Sequence, residues 1–114
     1  MYFKRNEPFR YAFNKPLIGT IKFFDEKENE KEFPILILDI SLNGIKFESA
    51  GDIPHGKSLH VEFSLLDQTY TKSGNVVWTK NFAKTVQYGI RLDTDESFHR
   101  QVTNILKQLV RMEQ

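Results

Sequence analysis

The chain has 114 residues, 39% of them hydrophobic and 27% charged, the make-up of one ordinary globular domain. Sixteen lysines and arginines against fifteen acids give a formal net charge of +1, which excludes a global pull toward nucleic acid and confines any nucleotide site to a local patch. With no cysteine there is no disulfide, no thiol chemistry and no cysteine-based metal site. In chain order, residues 1–15 carry Pro8 without a regular period, and Pro16 follows; they read as an ordered or semi-ordered N-terminal arm, with 16–114 as the domain proper. Residues 17–24 are β-branched and aromatic and predict a strand. The mixed charge run 25–32 predicts a solvated hairpin loop. Residues 33–40 predict a strand buried on both faces or nearly so, and 44–48 begin the next. Gly51 to Gly56 is a turn cluster. Leu59, Val61, Phe63 and Leu65 alternate with polar residues as in a half-buried strand. Further strands follow at 70–78 and 85–92, separated by a turn at 81–84.

The period changes at Asp95. Phe98, Val102, Ile105, Leu109 and Met112 form one stripe of a helix over 95–112. Acids at its start and Lys107 and Arg111 near its end suit the helix dipole. The stripe is expected to cover an open end of the strand assembly, leaving Leu106 and Val110 exposed and available to a partner. Short strands with regular turns followed by one helix predict a small all-β sandwich or barrel with a terminal helix.

Few residues suggest catalysis. His55, His60 and His99 are scattered without zinc-ligand spacing, and neither a phosphate-binding P-loop nor a nucleophile elbow occurs. No enzyme activity, metal or cofactor is expected. The N-terminus has no apolar signal core and no apolar run approaches the roughly 20 residues that span a bilayer, so a cytoplasmic protein without membrane insertion is expected.

The most informative stretch is Asp39-Ile40-Ser41-Leu42-Asn43-Gly44, spaced D-x-S-x-x-G at the end of an apolar run. Period-two alternation puts the carboxylate and the hydroxyl on one side of a strand. The carboxylate accepts from a base edge or a guanidinium, and the hydroxyl donates to a phosphate oxygen. Gly44 permits a positive φ or a close approach to a ligand, and Asn43 suits a positive φ beside it. Both residues could equally serve the turn alone, as Asp39 and Ser41 could through local bonds to the backbone. Upstream, Arg5 and Arg10 supply guanidiniums that fork onto phosphate or guanine, with Lys4 a further cation. Trp78, the one tryptophan, reads as core or rim packing, with base stacking as a secondary role. Arg91 alternates outward on the last strand and reads as a solvated arginine within reach of the ligand face.

These residues together resemble the PilZ domain family, whose members are bacterial receptors for cyclic di-GMP. Gly74-Asn75-Val76-Val77-Trp78 is similar to the family's G-x-V-x-W strand, and Tyr88-Gly89-Ile90-Arg91-Leu92 to the strand after it. The resemblance implies a six-stranded antiparallel Greek-key β-barrel with a C-terminal α-helix. It implies cyclic di-GMP binding by Arg5, Asn6, Arg10, Asp39, Ser41 and Gly44, and a non-catalytic output on motility, adhesion or biofilm formation through an unidentified effector protein. The domain is expected to act as a monomer or weak homodimer. In the family's R-x-x-x-R motif Arg10 fits the last arginine and Arg5 the additional one that often precedes it, but Asn6 stands where the first is expected. Asn hydrogen-bonds a base but cannot neutralise a phosphate. A PilZ-like protein-interaction module that no longer binds the nucleotide is therefore one alternative. A β-barrel for single-stranded nucleic acid is another, resting on the ten phenylalanines.

Overall fold

The computed structural model describes residues 10–54 and 58–112. Six strands and one helix follow in order: β1 (Arg10–Phe24), β2 (Glu30–Ser41), β3 (Gly44–Ser49), β4 (Leu59–Leu65), β5 (Gln68–Asn81), β6 (Val86–Leu92) and α1 (Glu96–Met112). All strand pairs are antiparallel, and the sheet closes on itself in the order β1-β2-β3-β6-β5-β4. The closing ladder is short, joining β1 to β4 at Thr20, Ile21 and Lys22 only. The six-stranded barrel with a terminal helix matches the expected fold class.

Alternation sets the interior. Ile21, Ile35, Ile37, Ile45, Phe47, Val61, Phe63 and Ile90 point inward and are essentially sealed from water. Phe47 stacks on Tyr88 at 5.3 Å. The Tyr88 hydroxyl donates to the Gly51 carbonyl and accepts from the Ile53 amide, pinning the connection after β3 to the barrel. Phe98, Val102, Ile105 and Leu106 of α1 join this same core, and Phe98 meets Tyr70 edge-on at 5.3 Å. Asp95 starts the helix: its carboxylate accepts the Phe98 amide at 2.8 Å, leaving one fewer orphan donor in the first turn.

Four expectations change. β1 begins at Arg10, so the described part of the expected arm, residues 10–15, is strand, with Pro16 inside a bulge between Ala12 and Leu17. Proline has no amide to give the ladder, and a bulge is where a strand tolerates that. The charged loop is shorter than expected, because Glu30 to Glu32 already pair with β1 and only the 25–29 turn remains, its Asp25 carboxylate accepting the Lys27 and Asn29 amides. β2 is not buried on both faces: Leu36 is 42% exposed between Ile35 and Ile37. On α1, Leu106 is fully buried whereas Met112 is 69% exposed. Met112 lies at the exposed end of the helix, whereas Leu109 and Val110, the latter expected to be exposed, are partly buried against the core, and the apolar face is centred on 98, 102, 105 and 106.

Candidate functional site: the outer face of strands 2, 3 and 6

A bulge decides where Asp39 points. Ile37 pairs with Phe47, but Asp39 pairs with Lys46, so Leu38 is an extra residue in β2. In an unbroken strand Asp39 would share the inward face of Ile35 and Ile37, because side chains repeat every second residue. The extra residue inverts the phase, turns Asp39 outward and leaves Ile40 inward beside Ile45. β5 carries the same device. Val76 pairs with Ile90 and Trp78 with Gly89, so Val77 is extra and Trp78 turns outward. The two bulges align Asp39, Lys46, Gly89 and Trp78 in one transverse row on the outside of the barrel.

Asp39 is the electrostatic centre of this face. Arg10 Nε donates to its Oδ1 at 2.7 Å, and Lys46 Nζ lies 3.3 Å from Oδ2. The carboxylate side chain is 10% exposed, while those of Arg10 and Lys46 keep 44% and 35% of their surface. The acid is thus nearly covered by its two cations, and both present their remaining surface to solvent. Ser41 pairs with Arg10 across β1 and β2 and is fully buried, its hydroxyl donating to the Gly44 carbonyl at 3.4 Å. Gly44 is needed for space and not for a positive φ: a Cβ there would sit 2.9 Å from the Ile90 carbonyl oxygen. Asn43 also lacks the positive φ expected of it, which among the described non-glycine residues is confined to Glu28 and Leu66.

Asn43 has a different task. Its Oδ1 accepts from Thr94 Oγ1 at 2.9 Å and lies 3.0 Å from His99 Nε2, which is itself 2.7 Å from Thr94 Oγ1. With Nε2 protonated, its single N–H is shared between Asn43 Oδ1 and Thr94 Oγ1. The Leu92 amide donates to the Asn43 carbonyl. The turn between β2 and β3 is therefore tied to the start of α1.

Of the sequence-predicted site residues, Arg10, Asp39, Ser41 and Gly44 come together on this face, while Arg5 and Asn6 lie outside the described residues. Arg91 pairs with Gly44 on the same face and is exposed. Trp78 is 40% exposed and lies over Gly89, where any Cβ would run into its indole. It is a rim residue, not core. Sequence reasoning missed Lys46, Gly89 and His99. Only the β3 alternation, with Ile45 and Phe47 inward, hinted that Lys46 faces out beside the motif. Among the described residues no three His, Asp or Glu side chains are grouped to hold a metal ion, and no helix is long and apolar enough to cross a membrane.

The family model for the PilZ domain matches residues 4–108, nearly the whole chain. The chain belongs to the PilZ domain family. Among solved structures, YcgR of Escherichia coli in complex with c-di-GMP superposes with a TM-score of 0.72 at 15% identity, over 96% of this chain and 47% of that one. The separate PilZ domain of the same protein with c-di-GMP gives 0.70 at 15% identity, covering 97% and 95%. The Bacillus subtilis inhibitor of motility MotI/DgrA gives 0.70 at 16% identity, covering 98% and 52%. This PilZ domain thus spans about half the length of the longer YcgR and MotI chains. No curated protein sequence matches it.

Proposed function

We propose that this PilZ domain is a non-catalytic receptor for cyclic di-GMP, working in the cytoplasm and signalling through contact with an effector protein. The observation that carries the reading is the ion pair of Arg10, the cross-strand partner of Ser41, on Asp39 at 2.7 Å on the outer face of a PilZ barrel. Asp39 fixes one edge of the Arg10 guanidinium, which is pre-organised for a guanine or a phosphodiester. Ser41 and the Gly44 turn form the floor, and the arm carrying Arg5 and Asn6 closes over the ligand. Two of the structurally similar PilZ chains are complexes with c-di-GMP, which supports the same ligand here.

The signal leaves through the turn. A ligand seated on Ser41 and Gly44 loads the Asn43–Thr94–His99 contacts and so the first turn of α1. The domain then shows its partner a changed arm and helix surface, with motility, adhesion or biofilm formation as the output, and acts as a monomer or weak homodimer. Asn6 favours one second reading, a PilZ protein-interaction module that has lost the nucleotide.

Calorimetric titration of cyclic di-GMP into the wild-type protein and an Arg10→Ala, Ser41→Ala double variant decides between the two. Micromolar binding that the double variant loses is expected. No heat and no thermal shift with the wild type would leave the interaction module.

A further inference from the structure

Asp39 holds two cations, one on each carboxylate oxygen, so the local sum at this point of the face is one positive charge. Arg10 is the cation the sequence motif supplies. Lys46 belongs to no motif, yet its ammonium sits 3.3 Å from Oδ2 on the same acid. Two of its outward neighbours are glycines: Gly44 two residues earlier on β3 and Gly89 across the ladder on β6. Neither has a side chain to stand beside the ammonium. Glu48, the next outward residue of β3, accepts a hydrogen bond from Gln87 Nε2 at 3.1 Å. Lys46 thus carries its charge beside Gly44, Ser41 and Arg10, with the Trp78 indole lying over Gly89 on its other side.

We propose that Lys46 is a phosphate-binding residue of this site, supplying the positive charge that Asn6 does not. The inference rests on the cyclic di-GMP reading above. A cyclic dinucleotide brings two phosphodiester charges against a face that already contains the Asp39 carboxylate. Arg10 is already engaged by Asp39 and Asn6 neutralises neither, so a further cation on the face adds to what Arg5 and the exposed Arg91 supply. A lysine ammonium has three donors. The ion pair with Asp39 at 3.3 Å leaves donors for a phosphate oxygen. Asp39 then acts as a hinge for both cations, holding one toward a guanine edge and the other toward a phosphate.

The test titrates cyclic di-GMP into wild type, Lys46→Gln, Lys46→Arg and Arg10→Ala at low and high salt, with melting temperatures alongside. K46Q is expected to bind about tenfold more weakly, the scale of one charge-assisted hydrogen bond. It should keep the wild-type melting temperature and lose part of the salt dependence of binding, because one screened charge pair is gone. K46R should stay within about threefold of wild type, since it keeps the charge. Unchanged binding by K46Q, with R10A impaired, would overturn the role of Lys46 and leave the receptor reading standing. K46R as weak as K46Q would overturn it too, because charge would not be the property that matters. Absence of wild-type binding would overturn both.

Discussion

At the residue scale, single groups on this protein act through partners that the chain brings from far away. Asp39 and Arg10 are 29 residues apart and meet at 2.7 Å; Asn43 and His99 are 56 apart and meet at 3.0 Å. Asp95 is the local exception, and its effect on stability has a definite pH sense. The Phe98 amide that bonds its carboxylate holds it below the ordinary aspartate value of 3.8. A lowered native pKa means that the stabilisation is fully present above the unfolded value and is lost as pH falls through the native one. Asp95→Ala should therefore unfold at lower denaturant concentration than wild type at pH 7. The gap should hold down to about pH 4 and close below it, as the unfolded carboxyl and then the native one take protons. A series of urea midpoints followed by circular dichroism checks this, and a gap independent of pH would contradict it.

At the scale of elements, the two β-bulges do most to make the outer face. Each adds one residue, Leu38 or Val77, and each inverts the phase of its strand just before a residue the face uses. Pattern reading from the sequence assumes an unbroken period of two and so places neither phase change, while the near-continuous apolar run of β2 made it look buried on both faces. The helix shows the same limit. A stripe at i, i+4, i+7, i+11 and i+14 is correct for Phe98, Val102 and Ile105, but only the barrel's edge decides whether the last turn is covered. Leu106→Ala should cost about 2–5 kcal/mol, as for other fully buried leucines. Met112→Ala, in a residue 69% exposed, should stay within about 0.5 kcal/mol. Chemical denaturation of both variants measures the contrast, and equal losses would mean that the helix end is packed.

For the whole molecule, the bonds from Asn43 to Thr94 and His99 join the motif turn to the start of the helix. In the proposed receptor this is the route by which ligand binding is felt at α1. His99→Ala should leave the affinity for cyclic di-GMP within about threefold of wild type, because His99 stands on α1 and meets the motif turn through Asn43. It should abolish the added protection of α1 amides on ligand binding, as seen by hydrogen exchange, since exchange reads local opening. Equal protection of the helix in wild type and variant would show that the coupling takes another path.

The sequence by itself determined the element order, the all-β class with a terminal helix and, through D-x-S-x-x-G with G-x-V-x-W and Y-G-I-R-L, the family. Those features are local: alternation, turn residues and short motifs are written in neighbouring positions. It also named Arg10, Asp39, Ser41 and Gly44, which lie together on one face. What only the tertiary structure decided are the quantities that depend on register. Strand pairing sets Lys46 against Asp39, Gly44 against Arg91 and Gly89 under Trp78, and pairing is a relation between distant segments that no single window contains. A shift of one residue, as at Leu38, sends a side chain from core to solvent, so the chemistry of the face was fixed only when the barrel closed.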